Sequence, residues 1–149
     1  MDKVTVREAT IEDAEAIAGL SGELGYPSST SSTEERLNAL LGTPANGVFV
    51  AFANDESILG WIHVFATQLL ESDPFAELGG FVVTVKHRGT GIGKKLLAAA
   101  ENWAAQNGLI KLKIRTRSTR VDAHAFYERN GYHITKTQHV FEKAFHEKP

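Results

Sequence analysis

Between residues 75 and 104 the hydrophobic period of the chain changes from that of a strand to that of a helix, and the change takes place across Arg88-Gly-Thr-Gly-Ile-Gly-Lys94. Upstream, Phe75-Ala-Glu-Leu-Gly-Gly-Phe-Val-Val-Thr-Val85 is rich in aromatic and β-branched residues. Downstream, Ile92, Leu96, Leu97, Ala100, Trp103 and Ala104 recur at helical spacing. A strand therefore feeds a helix through glycines, which let the backbone turn tightly and approach a ligand. The unpaired N–H groups of the helix's first turn face whatever binds there. With the helix dipole and the flanking Arg88 and Lys94, they favour a phosphate or pyrophosphate. Arg88, Gly89, Thr90, Gly91, Ile92, Gly93 and Lys94 are thus a candidate anion cradle.

Two common phosphate loops fit poorly. The P-loop of nucleotide hydrolases needs four residues between its glycines and then Lys-Ser/Thr, but three residues separate Gly89 from Gly93, and Lys95 follows Lys94. The dinucleotide fingerprint needs a third glycine where this chain has Leu96. The segment instead resembles the acyl-CoA motif Gln/Arg-x-x-Gly-x-Gly/Ala of the GNAT superfamily of N-acetyltransferases, with Arg88, Gly91 and Gly93 in the defining places.

Two further blocks carry the resemblance. Phe75-Ala-Glu-Leu78 is similar to the Phe-Ala-Glu-Ile strand of the superfamily's histone-acetylating members, whose glutamate is the general base; Glu77 stands at the matching offset from Arg88. Ala123-His-Ala-Phe-Tyr-Glu-Arg-Asn-Gly-Tyr132 resembles the superfamily's Ala-x-x-Phe-Tyr-x-x-x-Gly-Phe/Tyr helix and turn. The blocks span residues 75 to 132, and the finer likeness is to small-molecule acetyltransferases, including those acting on aminoalkylphosphonates. One departure is Arg120, where the superfamily frequently has an asparagine.

The resemblance implies a GNAT fold of the α/β (α+β) class: a mixed, mostly antiparallel sheet of six to seven strands flanked by about four helices and splayed where acetyl-CoA enters. It implies acetyl-CoA as co-substrate, with its pyrophosphate at Arg88 to Lys94, its pantetheine along Phe81, Val82 and Val83, and Phe126 beside it. Glu77 is implied as the base and Tyr127 as the proton donor to the leaving thiolate.

Elementary chemistry says why such groups are needed. An alkyl ammonium of pKa ~10.4 is almost wholly protonated at neutral pH, so acetyl transfer needs a proton acceptor. A glutamate withdrawn from water on a central strand is a better base than a free one. The thiol of the leaving group has a reference pKa of ~8.5, and a tyrosine hydroxyl beside the sulfur could protonate it. Backbone N–H groups freed by irregular pairing near Gly79-Gly80, Phe81 and Val82 would stabilise a developing oxyanion. The chain has no cysteine, so no acetyl-cysteine can form and direct attack in a ternary complex is expected.

Composition removes other classes. A net charge of −2 leaves no footprint for nucleic acid or an anionic membrane, and no apolar run approaches the ~20 residues of a membrane span. The first residues lack a signal-peptide pattern, so the cytoplasm is the expected location. The six histidines show no metal-ligand spacing, and no metal is expected. His63 and His133 are second-rank candidates for a proton relay; Glu71 and Asp73 could attract a cationic amine. Trp61 and Trp103 read as core.

Along the chain, Val4 and Val6 predict a first strand, and Thr10-Ile-Glu-Asp13 starts a helix running to about Leu24. Residues 25–31 read as a loop, and Ser32-Thr-Glu-Glu35 as a capping box opening a second helix with Leu37, Leu40 and Leu41 on its apolar face. Val48–Phe52 and Ile58–Phe65 predict a hairpin. Lys111–Arg115 predicts a strand, Val121–Asn130 a helix stopped by Gly131, and the remainder one or two short strands. At 149 residues the whole reads as one domain, 1–149.

The expected function is acetylation of a primary amine on a small molecule, since bulky Tyr26 and Phe65 near the site suggest a closed pocket. The alternatives are acetylation of protein lysines or N-termini, and a non-catalytic CoA-binding sensor. A homodimer through Gln138 to Phe145 is a further possibility.

Overall fold

The computed structural model describes residues 3–23, 25–116 and 121–146, which fall into two compact units, Met1–Ile114 and Arg115–Pro149. The first unit holds a five-stranded sheet in sequential order. Strands β1 (Thr5–Glu8), β2 (Asn46–Phe52), β3 (Ile58–Thr67) and β4 (Phe75–Val83) are antiparallel neighbours. Strand β5 (Leu112–Lys113) runs parallel to β4. Helices α1 (Ala14–Glu23), α2 (Thr30–Leu41) and α3 (Ile92–Gln106) complete the unit. A single 3₁₀ turn, Ile11–Asp13, leads into α1, and Leu24 lies outside the described residues. Thr10 and Asp13 form the capping box there, and Asp13 also takes a two-pronged bond from Arg7 at 2.8 Å.

The register explains both layers. Val48 and Val50 face the same side as Trp61, and there α1 and α2 supply Ala14, Ile17 and Leu37 to a shared core. On the opposite face α3 buries Ile92, Leu96, Leu97, Ala100 and Ala104, the helical stripe expected from the sequence. Complete burial of each of its leucines contributes roughly 1.5–3 kcal/mol. The indole of Trp103 covers Gly47, where a β-carbon would stand 2.8 Å from the ring. Helix α3 ends in a left-handed Gly108 (φ +73°), with Leu109 N–H donating to Ala104 and Gly108 N–H to Ala105.

Three expectations need correction. Helix α2 begins at Thr30 because Ser29, not Ser32, is its N-cap: Ser29 Oγ accepts the Ser32 N–H at 3.1 Å. Any of several hydroxyls there can cap; the earlier start adds a turn that places Thr33 on the buried side with Leu37. The β5 ladder is two residues long rather than five. Among the described residues the sheet has five strands, not six or seven, because no backbone ladder forms after residue 132.

The second unit contains α4 (Val121–Arg129) and a stretch from Tyr132 to Ala144 without regular structure. Helix α4 stops as expected at Gly131, which adopts φ +92°. Tyr132 N–H donates to the Tyr127 carbonyl at 3.0 Å and Gly131 N–H to Glu128 at 3.2 Å, and the Tyr127 and Tyr132 rings meet 6.2 Å apart. That is the paired cap, with its apolar contact, by which a left-handed glycine ends a helix.

Candidate active site

Strand β4 is supported unequally along its length. It pairs with β3 from Phe75 to Val83, but with β5 only at Ala76 and Glu77. Beyond Glu77 its far side has no strand partner among the described residues, so the sheet opens there, and Phe81, Val82 and Val83 lie along the opening. The side chain of Val82 is buried, leaving its backbone as the part a ligand could use.

The ladder with β3 is also interrupted at this point. His63 pairs with Gly80 and Val64 with Leu78, so Gly79 is an extra residue on β4, a bulge. The Gly79-Gly80 pair thus produces the irregularity expected of it. Both glycines are required by their neighbours: a β-carbon on Gly79 would overlap the imidazole of His63, and one on Gly80 would stand 2.5 Å from the Trp61 ring.

Glu77 is buried, with 9 % of its surface exposed, and its Oε2 accepts a hydrogen bond from Thr67 Oγ1 at 2.9 Å. It pairs across the sheet with Phe65 on one side and Lys113 on the other. Lys113 lays its ammonium 4.3 Å from the centre of the Phe75 ring. Alternation from the paired positions puts His63, Phe65, Thr67 and Glu77 on one face of the sheet. His63 is half-buried. Asn46 donates to Thr43 Oγ1 at 2.6 Å, which turns its Oδ1 to His63 Nε2 at 2.9 Å. Burial pushes the imidazole pKa below its ordinary value and favours the neutral ring.

The cradle follows a 3₁₀ turn, Val85–His87. The carboxylate of Glu23, at the end of α1, accepts from Val85 N–H at 2.8 Å and from Thr84 Oγ1 at 3.2 Å, fixing the entry. Arg88 is exposed and its Nε reaches the Val83 carbonyl at 3.4 Å. Gly89 and Gly91 adopt φ +82° and +88°, the left-handed region, and Gly91 is the N-cap of α3. Among the described residues, chain neighbours apart, nothing lies within 4 Å of where a β-carbon of either would be. Thr90 Oγ1 donates to the His87 carbonyl, holding the loop shut on itself. Ile92 is buried with its side chain in the core, so it can offer a ligand only its backbone, while Lys94 is exposed.

Phe126 and Tyr127 sit side by side on α4, with ring centroids 5.5 Å apart. His133 is exposed in the irregular stretch; Glu71 and Asp73 are exposed in the loop before β4. Tyr26 is 56 % exposed and Phe65 half-buried. Arg120 lies outside the described residues.

A model of the acetyltransferase (GNAT) family matches residues 12–132. The chain belongs to that family. It is an acetyl-CoA-dependent N-acetyltransferase with the GNAT fold. Among similar proteins, an aminoglycoside N(6')-acetyltransferase type 1 of Stenotrophomonas maltophilia is 32% identical over 136 residues, 89% of this chain and 88% of that protein. An aminoalkylphosphonate N-acetyltransferase of Salmonella typhimurium is 32% identical over 133 residues, 85% and 83% of the two chains. The crystal structure of an aminoglycoside 6'-N-acetyltransferase from Acinetobacter baumannii superposes with a TM-score of 0.85 over 97% of this chain and 100% of that one, a likeness of fold at 17% identity.

For this GNAT chain, sequence reasoning missed the partners of the site. Thr67 lies ten residues from Glu77, and Glu23 lies 62 residues from Val85. The exact register of the β3–β4 hairpin could have placed Thr67 near Glu77, whereas no local pattern announces Glu23.

Proposed function

We propose that the chain acetylates a primary amine of a small molecule, with amine and acetyl-CoA bound together and Glu77 as the proton acceptor. The observation that carries this reading is the position of Glu77: buried, bonded to Thr67, and placed where β5 pairing stops and β4 opens. The names of the two relatives, both acetyltransferases of small amines, support the acceptor class.

The residues present suit the donor. Left-handed Gly89 and Gly91, the N–H groups of the first turn of α3 and the exposed Arg88 and Lys94 suit a pyrophosphate. Gly93 keeps the first turn of α3 small, and Thr90 stabilises the loop. The backbone of Phe81 to Val83 would hold the pantetheine arm, and Phe126 is a donor-contacting residue by family resemblance alone. Bound there, acetyl-CoA supplies an activated thioester. Glu77, directly or through one water, takes the proton that the amine loses as its C–N bond forms, and Tyr127 gives a proton to the departing sulfur. No metal is needed for these steps.

We treat residues 1–149 as one acetyltransferase domain, a reading supported by a family match that runs through both compact units. The donor is a charged nucleotide thioester, so the cytoplasm is the proposed compartment; no described helix is long and apolar enough to cross a membrane. A homodimer through Gln138 to Phe145 is supported by the exposure of Val140, Phe141 and Phe145.

Acetyl-CoA consumption is followed by thiol release with a disulfide reagent, to which the cysteine-free chain adds no background. The panel is aminoglycosides, aminoalkylphosphonates, polyamines and a lysine peptide. Release dependent on a small amine is expected. Turnover of the peptide alone, or acetyl-CoA binding without turnover of any amine, would overturn the reading.

A further inference from the structure

Among the described residues, the side chain of His63 has a hydrogen-bond partner at one ring nitrogen and none at the other. Asn46 donates its amide to Thr43, so its Oδ1 must accept from His63 Nε2–H; the neutral ring then carries its lone pair on Nδ1. No hydrogen bond to Nδ1 is found among the described residues. The atom lies over the α-carbon of Gly79, at the bulge, so close that a β-carbon there would overlap it. Gly79 is exposed, and β5 does not reach this far along β4. His63 shares its face with Glu77, whose cross-strand partner Phe65 is two residues on and whose ring lies 5.4 Å from the imidazole. An acceptor-only nitrogen therefore stands at the bulge, on the same face of the sheet as the proposed base.

We infer that His63 Nδ1 accepts a hydrogen bond from the acceptor amine, and that Asn46 and Thr43 hold the ring in the tautomer able to do so. This rests on the acetyltransferase reading with Glu77 as base. A free primary amine has two N–H groups: one is directed to Glu77 or its water and the other to His63, which leaves the lone pair oriented for attack. A secondary amine has only one N–H and can satisfy only one of the two. His63 is thus a specificity-determining residue that favours primary over secondary amines, and the thiol-release assay with an amine and its N-methyl derivative reads it directly.

In the wild type the primary amine is expected to exceed its N-methyl derivative in kcat/KM by about tenfold or more, because the secondary amine leaves one acceptor of the site without its hydrogen bond. His63→Leu should raise the amine KM by a similar factor and bring the ratio toward unity, with acetyl-CoA affinity unchanged as the control for folding. His63→Asn, whose Oδ1 falls near the Nδ1 position, should keep most of the ratio. Nitrogen NMR of the labelled imidazole gives a second test: Nδ1 should resonate as an unprotonated nitrogen and shift when the amine is added. An unchanged ratio in His63→Leu, or an Nδ1 resonance indifferent to the amine, overturns the inference while leaving acetyl transfer intact. Absence of turnover on every amine removes both readings together.

Discussion

Two pairs of glycines serve the site for opposite reasons. Gly89 and Gly91 stand in open space, and what requires them is the left-handed backbone, φ +82° and +88°. Gly79 and Gly80 keep φ in the range open to any residue, and what requires them is the presence of His63 and Trp61 where side chains would otherwise be. The first pair shapes the main chain of the proposed cradle, and the second makes room for the protein's own rings. A glycine in a motif can therefore report either a backbone or a neighbour, and substitution separates the two. A conformational glycine resists every L-residue whatever its size, whereas a steric one yields when its neighbour is trimmed.

The sharpest way to break the contrast is Gly91→Pro. Proline fixes φ near −65°, incompatible with +88°, so acetyl-CoA affinity measured by calorimetry should fall by about 100-fold or more. Next, Glu77→Gln tests whether the crowded region carries the chemistry: kcat should drop roughly 100-fold with acetyl-CoA affinity unchanged, and equal rates across pH would remove Glu77 as the base. Gly80→Ala should cost about 1–3 kcal/mol in denaturant unfolding through overpacking against Trp61, with most of the loss recovered in Gly80→Ala/Trp61→Leu relative to Trp61→Leu alone. The smallest effect belongs to Gly89→Ala, about 1–2 kcal/mol from the left-handed penalty. No trimming of neighbours should rescue it, because none is in contact; a D-alanine introduced by semisynthesis should restore stability.

The glycine turn into α3, the α3 stripe and the bulge were legible in the sequence because each is local: a change of period, a run of glycines, a doubled glycine inside a strand. The Gly131 stop of α4 was legible for the same reason. What sequence did not reveal depends on pairing between distant segments. The start of α2 lies three residues earlier than expected because Ser29 and Ser32 are equally good caps by type, and the structure uses Ser29. The strands expected after residue 132 needed a ladder partner, and alternation alone cannot say whether one exists. Glu77 is a candidate through the resemblance of its Phe-Ala-Glu strand, but Thr67, which bonds to it, and the Thr43–Asn46–His63 chain on the same face are products of register.

The two-residue pairing of β5 has a consequence for motion. Ala76 and Glu77 are the only positions at which β4 is an interior strand on both sides among the described residues, and just two parallel pairs make them so. Releasing those pairs leaves the antiparallel ladder to β3 intact, so the Glu77 end of β4 can change from interior to edge by local opening, without unfolding of the sheet. Amide exchange at Leu112 and Lys113 should then be faster than at Ile62 and Val64, whose strand is flanked on both sides by long ladders.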